Sequence, residues 1–166
     1  RKMIEPDEEI EGGCVVVLDV KTGAVRAMVN LQRDSRGRLA ENFNMAIGRS
    51  GEPGSVFKTA TLMTLLEDGK TTLRHTMPTN GGKLNDFPKI KPCQETLRYE
   101  RKTGKKTITV GDGLRVSSNY VFQRLVADHY QDCPDRFVSR LYEYNLHNAY
   151  KFDLKEKGGT MPELPK

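Results

Sequence analysis

A chain of 166 residues with 30% charged residues and a formal net charge of +5 is long enough for about one domain with its own core. No apolar run approaches the roughly 18–20 residues of a bilayer-crossing helix, and the opening Arg1-Lys2 is followed by no signal-peptide core. Positive charge suits an anionic partner, but bases and acids are interleaved and there is neither an aromatic stacking motif nor zinc-finger spacing, so nucleic acid is not expected as a partner.

In chain order, Arg1 to Gly13 reads as an acidic, irregular start. Strands at about 14–20 and 24–31 follow as a hairpin, with Lys21-Thr22-Gly23 as its turn and Cys14 as a small core residue. Gln32 to Arg38 is a charged connection. Ser55 to Glu67 reads as a helix entered through Pro53-Gly54 and stopped at Asp68-Gly69, with Val56, Phe57, Ala60, Leu62, Met63, Leu65 and Leu66 supplying its apolar face.

The Pro- and Gly-containing stretch from Thr76 to Pro92 carries a strong turn signal at Thr79-Asn80-Gly81-Gly82 and could be a solvated insertion or a wall of the cleft, its polarity alone favouring the former. Lys102-Thr103-Gly104 reads as a charged turn between Glu95–Tyr99 and Thr107–Val110. Three further helices are expected: Thr109 to Arg115, Tyr120 to His129, and Pro134 to Tyr144 with Asn145 as terminator. Cys14, Cys93 and Cys133 lack C-x-x-C spacing and read as reduced thiols, although a Cys93–Cys133 disulfide stays open. His75, His129 and His147 have no metal-ligand spacing, so no metal or cofactor is expected.

The chemistry concentrates at Ser55-Val56-Phe57-Lys58. Helical residues turn by about 100° each, which sets Ser55 and Lys58 on nearly the same side, leaning towards the helix start. A serine hydroxyl is a poor nucleophile at neutral pH, and a lysine amine serves as its base only in an enclosed site that disfavours the ammonium charge. The helix start adds unpaired N–H groups suited to an oxyanion. Against this, S-x-x-K is a short pattern, and Ser55 could equally be an N-cap with Lys58 a solvated helix residue. Ser117-Ser118-Asn119 forms a second constellation at a helix junction. There Ser117 could pass a proton to a leaving amine, and Asn119 could hold Lys58 or a substrate amide, or both could simply cap helices.

Glu52-Pro53-Gly54-Ser55-Val56-Phe57-Lys58 and Val116-Ser117-Ser118-Asn119-Tyr120 together resemble the first two active-site motifs of penicillin-binding proteins. Val15 to Val29 resembles the opening strand hairpin of that family, and Asn44-Met45-Ala46-Ile47-Gly48 the segment leading to the nucleophile helix. The similarity runs from about Gly12 to the end. Glu52 before Pro53-Gly54, and the surroundings of Asn44, look more like the division-type class B enzymes.

The resemblance implies an α+β penicillin-binding transpeptidase/β-lactamase-like fold with helices on an antiparallel sheet. It also implies a peptidoglycan D,D-transpeptidase in which Ser55 attacks, Lys58 takes its proton, Ser117 relays a proton, and Ser55, Ser117 and Asn119 meet the substrate. The implied partners are stem peptides ending in D-Ala-D-Ala, β-lactams, and proteins of a division or elongation complex. The implied location is the extracytoplasmic, periplasmic side of the bacterial inner membrane. A β-lactam-sensing receptor, a β-lactamase relative and an inactive fragment are the competing readings.

The family's third motif, lysine or histidine, then serine or threonine, then glycine, lies on a strand after the serine–asparagine loop. Lys21-Thr22-Gly23 and Lys102-Thr103-Gly104 both precede Ser117, so neither is assigned to the site. Residues 1–166 are therefore expected to be a partial transpeptidase domain, without upstream anchor and pedestal or the downstream strand. A missing oxyanion donor typically costs about 10²–10³ in rate, so the isolated piece is expected to be a poor catalyst.

Overall fold

The computed structural model describes residues 11–149 and 159–163. They fall into two compact units: residues 11–51 with 147–149 and 159–160, and residues 52–146 with 161–163. The expectation for Arg1 to Ile10 lies outside the described residues.

The first unit is a three-stranded antiparallel sheet. β1 (Gly12–Leu18) pairs with β2 (Val25–Arg33), and β2 pairs with the short β3 (Leu39–Ala40). The β1–β2 turn forms around Asp19, whose Oδ1 accepts from the backbone N–H groups of Lys21 and Thr22. Lys21-Thr22-Gly23 is therefore a hairpin turn, as expected. A single helical turn, α1 (Met45–Gly48), is tied to the sheet by the buried Asn30, whose Oδ1 accepts from Ala46 N–H.

Cys14 corrects the sequence reading. It is exposed on β1, as are all the residues of that strand after Gly12.

The second unit is helical, with a small two-stranded ribbon. A 3₁₀ turn (Gly54–Val56) leads into α2 (Phe57–Glu67). β4 (Thr76–Pro78) precedes a second 3₁₀ turn (Asn80–Gly82), followed by α3 (Gln94–Thr103) and then β5 (Thr107–Thr109), which pairs antiparallel with β4. α4 (Val110–Arg115), α5 (Asn119–Tyr130) and α6 (Pro134–Glu143) complete it. The last three lie close to their expected spans, because Thr109 and Ser118 cap backbone N–H groups, Pro134 opens α6, and Asn145 adopts a left-handed φ of 57° after it.

Leu62 and Leu65 of α2, Ile108, Val110, Tyr120, Val121, Leu125 and Tyr130 form the core. With strands and helices both present, the class is α+β, as expected.

Two sequence readings are corrected here. The first half of the stretch after Thr76 is not a solvated insertion, since Met77, Thr79, Gly82 and Leu84 are buried, whereas residues 85–91 are exposed. Its polar groups are satisfied internally: the Glu100 carboxylate accepts from the Thr79 hydroxyl, Gly81 N–H and Lys106 Nζ. The Lys106 bond does most to hold the Glu100 carboxyl below its usual range, with Thr79 next and burial opposing.

The second correction concerns Lys102-Thr103-Gly104. It is the end of α3, with Gly104 at a φ of 68° donating its N–H to Glu100 O as a left-handed cap. Thr96, Tyr99 and Glu100 are the buried face of a helix that local composition did not suggest.

The buried face of α2 also differs from the expected one. Lys58, Thr61, Leu62 and Leu65 recur at helical spacing and face inward with Thr64, while Val56, Met63 and Leu66 are exposed. Thr61 and Thr64 bury their hydroxyls by donating back to Phe57 O and Ala60 O, which removes the cost of enclosing them. The far end of α2 is held by Asp68. Its carboxylate is fully enclosed and accepts from Tyr130 Oη, Arg136 Nε, and Arg140 Nε and Nη2. Burial pushes the Asp68 carboxyl up, but these bonds outweigh it and hold it at about 2.

Candidate active site

Gly54, at a φ of 58°, turns the chain sharply into the 3₁₀ segment, a left-handed backbone that suits glycine. Within a 3₁₀ turn, side chains three residues apart eclipse one another, so this entrance brings Ser55 over Lys58 more closely than a regular helix would. The side chain of Ser55 caps nothing. Lys58 Nζ instead donates to Ser55 Oγ at 2.8 Å and to Ser117 Oγ at 3.0 Å. Lys58 is only 8% exposed, while Ser55 is open to solvent. The solvated-lysine alternative does not describe this side chain.

Ser117 reaches Lys58 through an unusual backbone. α4 ends in paired bonds, Ser117 N–H to Leu114 O and Ser118 N–H to Gly113 O, the arrangement in which the left-handed residue is usually glycine. Here it is Ser117, at a φ of 57°. For a residue with a Cβ this conformation costs roughly 1–2 kcal/mol. Such strain persists where surrounding structure enforces it, and it is enriched at functional positions.

Ser118 is fully buried. Its Oγ accepts from Val121 N–H, capping α5, and lies 2.7 Å from Thr96 Oγ1 and 3.8 Å from Cys93 Sγ. Asn119 opens α5 and is exposed; among the described residues its side-chain amide forms no hydrogen bond with Lys58. Tyr120 Oη, next along, donates to Pro78 O and accepts from Asn80 Nδ2, fixing the start of α5 to the turn after β4.

The four residues singled out in the sequence thus divide. Ser55, Lys58 and Ser117 converge on one amine, although 59 positions separate Lys58 from Ser117. Asn119 stands beside them, unbonded. Thr96, Ser118 and Cys93 were not assigned to the site; the only sequence signal for Thr96 is the period of a helix half of whose residues are charged. Glu95, in the first turn of α3, accepts from Cys93 Sγ at 3.3 Å. Its carboxyl is held below the usual range mainly by its own backbone N–H, then by Cys93, with smaller contributions from Arg98 and Lys58. Cys14, Cys93 and Cys133 are free thiols. Among the described residues, no cluster of His, Cys, Asp and Glu could hold a metal, and no helix is long and apolar enough to cross a membrane.

Neither a curated protein nor a solved structure matches the chain significantly. The family model of the penicillin-binding protein transpeptidase domain matches residues 13–163, close to the extent over which the sequence motifs resemble that family. With most of its length matched and an α+β architecture, the chain belongs to the penicillin-binding protein transpeptidase family.

Proposed function

We propose that this chain carries the acylating half of a peptidoglycan D,D-transpeptidase of the class B, division type. The observation that supports it best is Lys58 Nζ placed between the hydroxyls of Ser55 and Ser117. In this reading Ser55 Oγ attacks the carbonyl of a stem peptide ending in D-Ala-D-Ala while the Lys58 amine takes its proton. The peptide C–N bond breaks, and Ser117 passes a proton to the departing D-alanine amine. The acyl group remains on Ser55 until an amine of a neighbouring stem peptide displaces it. A β-lactam acylates the same oxygen. In the same reading Asn119, which is exposed at the start of α5, binds a substrate amide.

Lys21-Thr22-Gly23 lies in a hairpin turn and Lys102-Thr103-Gly104 at a helix end. In this reading neither triplet serves as the third motif of the family, and residues 1–166 contribute the first two. The domain works on the extracytoplasmic side of the inner membrane, among proteins of a division or elongation complex.

The test is labelling of the full-length protein by a fluorescent penicillin. Ser55→Ala abolishes the covalent label; a label surviving that change overturns the nucleophile assignment. Lys58→Met keeps the fold and slows acylation by about 10²–10⁴. Unchanged acylation kinetics would remove Lys58 from its role as base. Rapid deacylation of the labelled serine would point to a β-lactamase.

A further inference from the structure

We infer that Thr96 is a positioning residue for the acyl-transfer centre: through Ser118 it holds the α4–α5 junction so that Ser117 keeps its left-handed backbone and its hydroxyl on Lys58. The inference rests on the role given to Ser117 above.

Three observations carry it. Ser117 occupies a strained conformation at a position glycine usually fills, so its neighbours must enforce that geometry. The residue after it, Ser118, is fully buried and has two tasks for one oxygen: it accepts from Val121 N–H to start α5, and it pairs at 2.7 Å with Thr96 Oγ1. Thr96 is fully buried too, so this hydroxyl pair has no water to substitute for either member.

The junction is thus gripped from α4 by two backbone bonds, from α5 by its own cap, and from α3 by the Thr96 hydroxyl on Ser118, while the Tyr99 hydroxyl holds α4 further back at Asp112. Cys93, 3.8 Å from Ser118 Oγ and bonded to Glu95, packs against the same point. Removing the Thr96 hydroxyl leaves a buried serine under-satisfied and frees it to rotate. The cap then loosens, and the strain at Ser117 can relax by moving its hydroxyl off Lys58. Thr96 touches neither Ser55 nor Lys58, so its effect reaches the chemistry only through Ser117.

The experiment uses the full-length protein, a fluorescent penicillin over a range of concentrations to separate non-covalent affinity from acylation rate, and thermal melting of every variant. Thr96→Val lowers the acylation rate constant roughly tenfold. Its non-covalent affinity stays within about twofold. Thr96→Ser, which restores the hydroxyl, recovers most of the rate. In a Ser117→Ala background Thr96→Val costs less than about twofold more, because the group it positions is already gone.

Wild-type acylation in folded Thr96→Val, failure of Thr96→Ser to recover, or the same tenfold loss with Ser117 absent would each overturn the inference. If Thr96→Val does not fold, Thr96→Ala carries the same expectations. Label that survives Ser55→Ala overturns the underlying site and this inference together; Ser55-dependent label with insensitive Thr96 variants overturns this inference alone.

Discussion

Val15, Val16, Val17 and Leu18 on β1 are 41–63% exposed, whereas Leu65, Val110 and Val121 in the helical unit expose nothing. The residue types are similar and the outcomes opposite. Consecutive strand residues point to opposite faces, so the run from Val15 to Leu18 makes both faces of the hairpin apolar, the pattern of sheets covered on both sides. In the helical unit apolar residues share a closed core, and even Thr61, Thr64 and Thr96 are buried with their hydroxyls bonded. Apolar content therefore does not measure where stability resides; enclosure does.

Substitutions sharpen this contrast in the 166-residue chain. Leu65→Ala, in the closed core, should lower stability by about 2–5 kcal/mol in denaturant unfolding. A loss no greater than that of a surface substitution would break the comparison.

Asp68 gives the next effect. Its folded carboxyl is held at about 2, below an unfolded value near 4, so its contribution is complete above pH 4 and disappears as pH falls towards 2. Asp68→Asn should remove that part of the acid dependence, and an unchanged acid profile would show that the Arg136–Arg140–Tyr130 cluster does not secure the fold.

Smaller still, Ser117→Gly should melt higher than Ser117→Ala by about 1 kcal/mol, since both lose the bond to Lys58 and only glycine is unstrained there. Equal stabilities would mean the backbone relaxes when the serine is removed. Last, Val16→Ala should change stability by less than about 0.5 kcal/mol, because that side chain is not enclosed among the described residues.

Much of the candidate site's geometry could be read from the sequence, because it depends on spacing along one helix and on a junction with cap residues. Ser55 and Lys58 needed only the helix period, and Ser117 needed only its position between two recognisable helices. The contact between Lys58 and Ser117 spans two distant segments and rests on the resemblance. α3 escaped because half of its residues are charged and its buried face is Thr96, Tyr99 and Glu100. Those groups read as surface until their partners, Ser118, Asp112 and Thr79, are brought up to them by tertiary packing. Cys14 erred the other way, because a strand's alternation does not say whether anything covers either face.

α2 also gains a fixed rotational phase from its two ends. A rod gripped at one end can still twist, but this one is clamped at Asp68 by two guanidinium groups and a phenol, and at Lys58 by two hydroxyls. A slip of a single residue about the axis, roughly 100°, would swing the amine away from both oxygens. The ionic clamp one turn past the core thus acts as a torsional stop for the Lys58 amine three turns away.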